Sequence, residues 1–179
     1  LVVYDSGDNI LFAVRDDGSI GVGTGGPIDI FHIHGAAAIP NKGNLLITDS
    51  AAVAAGIGGI IKLGGYIDAA TTTVWAAIKG TKSNATENNY EGNMEFQTRQ
   101  QGSDVGTKMI INGSGDVGIG TTSPTALIDI NSDILRLRTA KTPATAGAAG
   151  NQGDIAWDSS YLYVCTSVST WRRVAHATW

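Results

Sequence analysis

Apolar residues along this chain come in short runs that alternate with polar ones at a period of two, separated by turns rich in Gly, Asp, Asn and Ser. The alternation predicts strands over 1–4, 10–14, 28–34, 45–48, 59–66, 74–79, 94–99, 108–111, 126–130 and 133–138. Met94, Phe96 and Thr98 then face one way and Glu95, Gln97 and Arg99 the other. In 28–34, Phe31 and Ile33 share a face and His32 and His34 share the opposite one. Runs at 154–157, 161–166 and 170–175, joined by two polar turns, read as a three-stranded meander. Only Asp49 to Ala55 is compatible with a helix; it stops at Gly56 and reads as a loop or a single turn.

A second pattern overlies the first. Gly115-Asp116-Val117-Gly118-Ile119-Gly120-Thr121-Thr122-Ser123-Pro124 repeats Gly18-Ser19-Ile20-Gly21-Val22-Gly23-Thr24-Gly25-Gly26-Pro27 without a gap, 97 residues downstream. Gly18/Gly115, Gly21/Gly118, Gly23/Gly120, Thr24/Thr121 and Pro27/Pro124 are identical, and β-branched residues replace each other between them. The match extends to Phe12 and Val14 opposite Met109 and Ile111, and to Ile30 and Ile33 opposite Leu127 and Ile130. Each copy reads as a short strand, a glycine turn, a second short strand and a Thr-x-x-Pro exit. Glycines between β-branched residues signal close backbone approach or positive φ. A dinucleotide loop would need a helix to follow, and Pro27 and a strand follow instead.

Composition sharpens this picture. Glycine is 24 of 179 residues and aromatics are 7%, so large core side chains are scarce. Such a chain buries little apolar surface alone, which argues for burial against copies of itself. A net charge of −4, with Arg172-Arg173 the one basic pair, argues against nucleic acid. No apolar run approaches the length of a membrane-spanning helix. The lone Cys165 excludes an intrachain disulfide. A start at Leu1 without Met suggests a piece of a longer protein.

The repeat at 115–124 resembles one found in tail-fibre and related virion proteins of tailed bacteriophages. The segment from Gly58 to Arg99 resembles what precedes that repeat. Gly153 to Asp158 and Tyr161 to Cys165 look like a C-terminal cap of similar proteins. The resemblance covers roughly 120 of the 179 residues. It implies a virion location in the tail fibre and a parallel homotrimer of short strands wrapped on a common axis. It also implies other virion tail proteins and a bacterial surface glycan or outer-membrane receptor as partners. The self-cleaving Ser/Lys end that many such fibres carry has no counterpart here.

Candidate chemistry is sparse. His32 and His34, three-fold repeated, could ligate an axial divalent metal; otherwise they are a surface pair, and no other cofactor is indicated. Trp157, Tyr161, Tyr163 and Trp171 are either a receptor-binding platform or the core of the terminal module, with Tyr161 and Tyr163 the expected exposed pair. Acidic residues fall mostly in turns, which argues against a glycosidase carboxylate pair.

The reading is an all-β, elongated, intertwined homotrimer: a β-prism or β-helix-like shaft carrying a small β-meander module. Its parts are a first shaft repeat over 1–35, a β-rich middle domain over 36–111, a second shaft repeat over 112–141, a linker over 142–153 and an aromatic module over 154–179. The repeat glycines would let three strands approach an axis, with Val117 and Ile119 as the core of each layer. The expected function is structural extension and host-surface attachment without catalysis. A polysaccharide-degrading tailspike fragment is the alternative, followed by a head fibre or decoration protein.

Overall fold

A computed structural model describes residues 1–35 and 45–177. Every regular element in them is a β-strand: β1 (Val2–Tyr4), β2 (Ile10–Val14), β3 (Ile20–Val22), β4 (Phe31–Ile33), β5 (Ile60–Tyr66), β6 (Thr72–Lys82), β7 (Gly92–Arg99), β8 (Val105–Ile111), β9 (Val117–Ile119), β10 (Ile128–Ile130), β11 (Ile155–Trp157), β12 (Tyr161–Ser167) and β13 (Thr170–Ala175). The chain divides into two compact units, Leu1–Asn131 and Ser132–Trp179. The first unit holds a sheet in the order β1-β2-β3-β4 and one in the order β10-β9-β8-β7-β6-β5. None of the three sheets closes on itself.

The sequence repeat is a repeat of strand pairing. β2 and β3 are antiparallel with Phe12 opposite Val22, Ala13 opposite Gly21 and Val14 opposite Ile20. β8 and β9 pair Met109 with Ile119, Ile110 with Gly118 and Ile111 with Val117. The third strand is parallel in both: Ile20, Gly21 and Val22 face Phe31, His32 and Ile33, as Val117, Gly118 and Ile119 face Ile128, Asp129 and Ile130. Every pair carries over at the 97-residue spacing.

The glycines have reasons within one chain. Gly23 and Gly120 both take φ of 74°, where a side chain would be strained. A Cβ on Gly21 would sit 2.2 Å from the Thr24 carbonyl oxygen, and one on Gly118 2.6 Å from that of Thr121. Parallel strands ordinarily need a crossover of a dozen or more residues, so these short returns must fold tightly. Thr24 Oγ1 accepts the Gly26 N–H, and Thr121 Oγ1 the Ser123 N–H, each at 3.2 Å. Across the loop, Asp129 Oδ2 accepts the Thr125 N–H at 2.8 Å, and His32 Nδ1 accepts the Ile28 N–H at 3.4 Å.

In the six-stranded sheet, Ile61, Ile78, Phe96, Met109, Ile119 and Ile130 form one row across all six strands. Met94, Ile111, Val117 and Ile128 form the next row on the same face. That face is open in the single chain: Ile61 is 44%, Met94 47%, Ile119 43% and Ile128 68% exposed. Val117 is half-buried. On the other face Ala77, Ile110 and Thr81 are buried beside Glu95. Burial pushes the Glu95 pKa up, but hydrogen bonds from Thr107, Gln97 and Thr81, with the Lys79 charge, leave it below its ordinary value.

Several sequence expectations change. The segments 45–48 and 133–138 form no strand, because neither finds a ladder partner; Ile134 and Leu135 stay exposed. The strand expected at 28–34 shortens to β4, since 28–30 belong to the loop that returns the chain. The second repeat shares its first strand, β8, with the middle region, so the strands from Ile60 to Ile130 form one continuous sheet with no break at 111/112. The second unit is the expected meander, β11-β12-β13, antiparallel throughout.

Candidate functional site

Alternation along β12 and β13 assigns the faces of the terminal module. Tyr163 lies opposite Ala156 and Arg173, and Cys165 opposite Trp171, so these side chains share one face. Ala156, Tyr163, Cys165 and Trp171 are all at most 5% exposed and form its core. Ala148 and Tyr161 pack against it. The opposite face carries Leu162 and Val164 at 42% and 37% exposure, with Ile155 and Val174 more open still. The expectation of an exposed tyrosine pair is thus reversed: Tyr163 is core and Tyr161 is half-buried.

What covers the tyrosine face is the segment expected to be a linker. The Trp171 N–H donates to the Ala146 carbonyl and the Ser169 N–H to Gly150, each at 2.8 Å. Trp171 Nε1 donates to the Ala148 carbonyl at 3.0 Å. A Cβ on Gly150 would lie 2.6 Å from the Trp171 ring. The Ala/Gly composition of 142–153 therefore fits a strap laid over a tryptophan, a closeness that composition alone does not distinguish from flexibility.

One carboxylate ties the module together. Asp158 Oδ1 accepts the Ser160 and Tyr161 N–H groups at 2.8 Å each. Its Oδ2 accepts the Tyr163 hydroxyl at 2.6 Å and the Thr142 hydroxyl at 2.8 Å. The Tyr163 bond foremost, then the backbone donors and Thr142, hold its carboxyl far below the usual range. The same bond, aided by burial, raises the Tyr163 phenol.

Beside this core lies a 260 Å³ cavity lined by Pro143, Ala144, Ala146, Tyr163, Trp171, Arg172 and Arg173, among others. The Arg173 guanidinium sits over the Tyr161 ring, 4.0 Å from its centroid, and Lys141 Nζ lies 5.6 Å from that of Trp171. Of the four aromatics read as either a receptor platform or the core of this module, Tyr163 and Trp171 turn their rings into the core. Trp157 is half-buried on the opposite face, its Nε1 enclosed and without an acceptor among the described residues. Sequence reasoning missed the two arginines and Asp158. The Asp-Ser-Ser turn and the Arg-Arg pair after Trp171 were the available signals.

His32 and His34 have rings 5.8 Å apart, edge to face, and His32 is the loop-closing acceptor described above. No group of three or more His, Cys, Asp or Glu side chains suited to a metal occurs among the described residues. Asp5, Asp17, Asp49, Asp68, Asp129 and Asp154 each accept backbone N–H groups in turns.

No family model matches the sequence. Two curated proteins do. Over 41 residues, 23% of this chain, it is 54% identical to "Depolymerase 1, capsule K30/K69-specific" of Klebsiella phage K5-2. Over 78 residues, 42% of this chain, it is 40% identical to "Depolymerase, capsule K30/K69-specific" of Klebsiella phage K64-1. The matched segments are 5% and 10% of the lengths of those relatives. Both relatives are named for an enzymatic activity, which overturns the expectation of a protein without catalysis. It moves the weight to the polysaccharide-degrading alternative. The matches bear out the placing of this chain in a bacteriophage tail protein.

Proposed function

We propose that this chain is a segment of a phage tail depolymerase, a tailspike that binds a bacterial surface polysaccharide and cleaves it. The observation that carries this reading is the match to two depolymerases named for the same capsule types. The direct test is to incubate the whole protein containing this chain with purified capsular polysaccharide and measure new reducing ends. Their appearance with a fall in polymer size supports the reading. An intact polymer after prolonged incubation contradicts it.

Within that protein, the sheets of this chain are completed by further copies of itself in a homotrimer. The support is physical. Only Ala13, Ala77, Ile110, Ala156, Tyr163, Cys165 and Trp171 are buried hydrophobics among the described residues. Meanwhile two adjacent rows of the large sheet present apolar side chains to solvent. Contiguous exposed apolar surface of this kind marks an interaction face. The number three rests on the resemblance to tail-fibre repeats. The repeats would stack as a shaft, in the β-prism or β-helix manner, and the histidine pair would lie near its axis as a candidate metal site.

A further inference from the structure

We infer that the cavity of the terminal module is a binding site for an acidic sugar, a residue whose carboxylate is held by Arg173. The inference rests on the polysaccharide-directed reading above and adds a site and a ligand chemistry to it.

Charge is divided unevenly along the chain. Residues 132–179 carry five Lys and Arg against three Asp, a net of +2, whereas residues 1–131 carry seven against thirteen Asp and Glu. Two of those three carboxylates are occupied: Asp154 accepts the Asn151 N–H, and Asp158 is the four-donor hub. Among the described residues the one ion pair is Arg99 with Asp104, so Arg173 is not paired with a carboxylate. Stacking on Tyr161 limits the freedom of the Arg173 guanidinium, which lowers the entropy lost when an anion binds.

The cavity joins two chemistries. Pro143, Ala144 and Ala146 offer apolar contact beside the edges of Tyr163 and Trp171, and the Arg173 guanidinium offers donors in a planar fork. At 260 Å³ it lies just below the range of about 300–1,000 Å³ typical of small-molecule sites, which suits a single ring rather than an extended chain. A hexuronic acid has the matching parts, an apolar C–H face and one carboxylate. A neutral sugar leaves the Arg173 charge unmatched. A bare phosphate leaves the aromatic and aliphatic wall unused.

Calorimetric titration of the purified protein tests this with three probes: an oligosaccharide of hexuronic acid residues, the same oligosaccharide with its carboxyls reduced to alcohols, and inorganic phosphate. The acidic oligosaccharide should bind, and loss of its carboxylates should weaken binding about tenfold or more. Arg173→Gln should weaken it similarly, and Arg173→Lys less, with thermal unfolding near wild type. Should Arg173→Gln fail to fold, Arg173→Lys and the carboxyl-reduced probe decide. Equal binding of the reduced oligosaccharide, or of phosphate, overturns the inference, as does no binding of any probe. Adsorption of wild type and Arg173→Gln to encapsulated cells separates this from the broader reading: unchanged adsorption by the variant sinks the arginine site and leaves the tail-depolymerase assignment standing.

Discussion

At the residue scale, the repeat glycines differ in kind, and substitution should separate them. Gly118→Ala drives a methyl group into the Thr121 carbonyl, as Gly21→Ala does at Thr24, and backbone must move in each case. Such overpacking costs roughly 1–3 kcal/mol. Gly115→Ala meets open space but keeps φ of 89°, so its cost is the left-handed strain alone, about 1–2 kcal/mol. Urea unfolding of the variants should show both losses. A neutral Gly118→Ala would mean that the turn relaxes freely. Asp158 makes a pH prediction. Its folded pKa is depressed, so its contribution is full above the unfolded value of about 3.9 and is lost as pH falls below that. Asp158→Asn should lower the melting temperature of the module at neutral pH, and the gap from wild type should narrow as pH falls through the carboxylate range. A constant gap down to strongly acid pH would show that the hydrogen bonds do not depend on ionisation.

At the element scale, the unit of construction is three strands, an antiparallel pair followed by a parallel return. Its two copies differ where the return is closed, with His32 in the first and Asp129 in the second. A carboxylate accepting a backbone N–H at 2.8 Å makes the stronger bond. His32→Asp should therefore slow amide exchange in β4, and Asp129→Ala should destabilise β10 by about 1 kcal/mol. Exchange unchanged by both would show that the strand ladder alone holds the return. Much of this unit was legible in sequence, because the glycine offsets and apolar alternation survive translation by 97 residues. What was not legible is which face turns inward. Alternation places Tyr161 and Tyr163 on one side of β12, but the strap over 143–150 decides that this side is the core. Likewise 133–138 alternates like a strand, and only the absence of a neighbour to share its ladder keeps it from being one.

At the scale of the whole molecule, the large sheet leaves an apolar face open. The row from Ile61 to Ile130 crosses six strands, and among the described residues of its unit Ile61 and Ile119 remain exposed, although such rows ordinarily form cores. The proposed closure by copies of the same chain would account for a low aromatic content, because each copy would supply only part of a shared core. A charge placed in the row tests the face itself: Ile119→Lys should shift the protein toward single chains without abolishing the strand signal in circular dichroism. The most direct measurement of self-completion is the solution mass of the unaltered protein by light scattering across a dilution series. A mass of three chains that persists on dilution is the predicted result. A stable, folded single chain would contradict it.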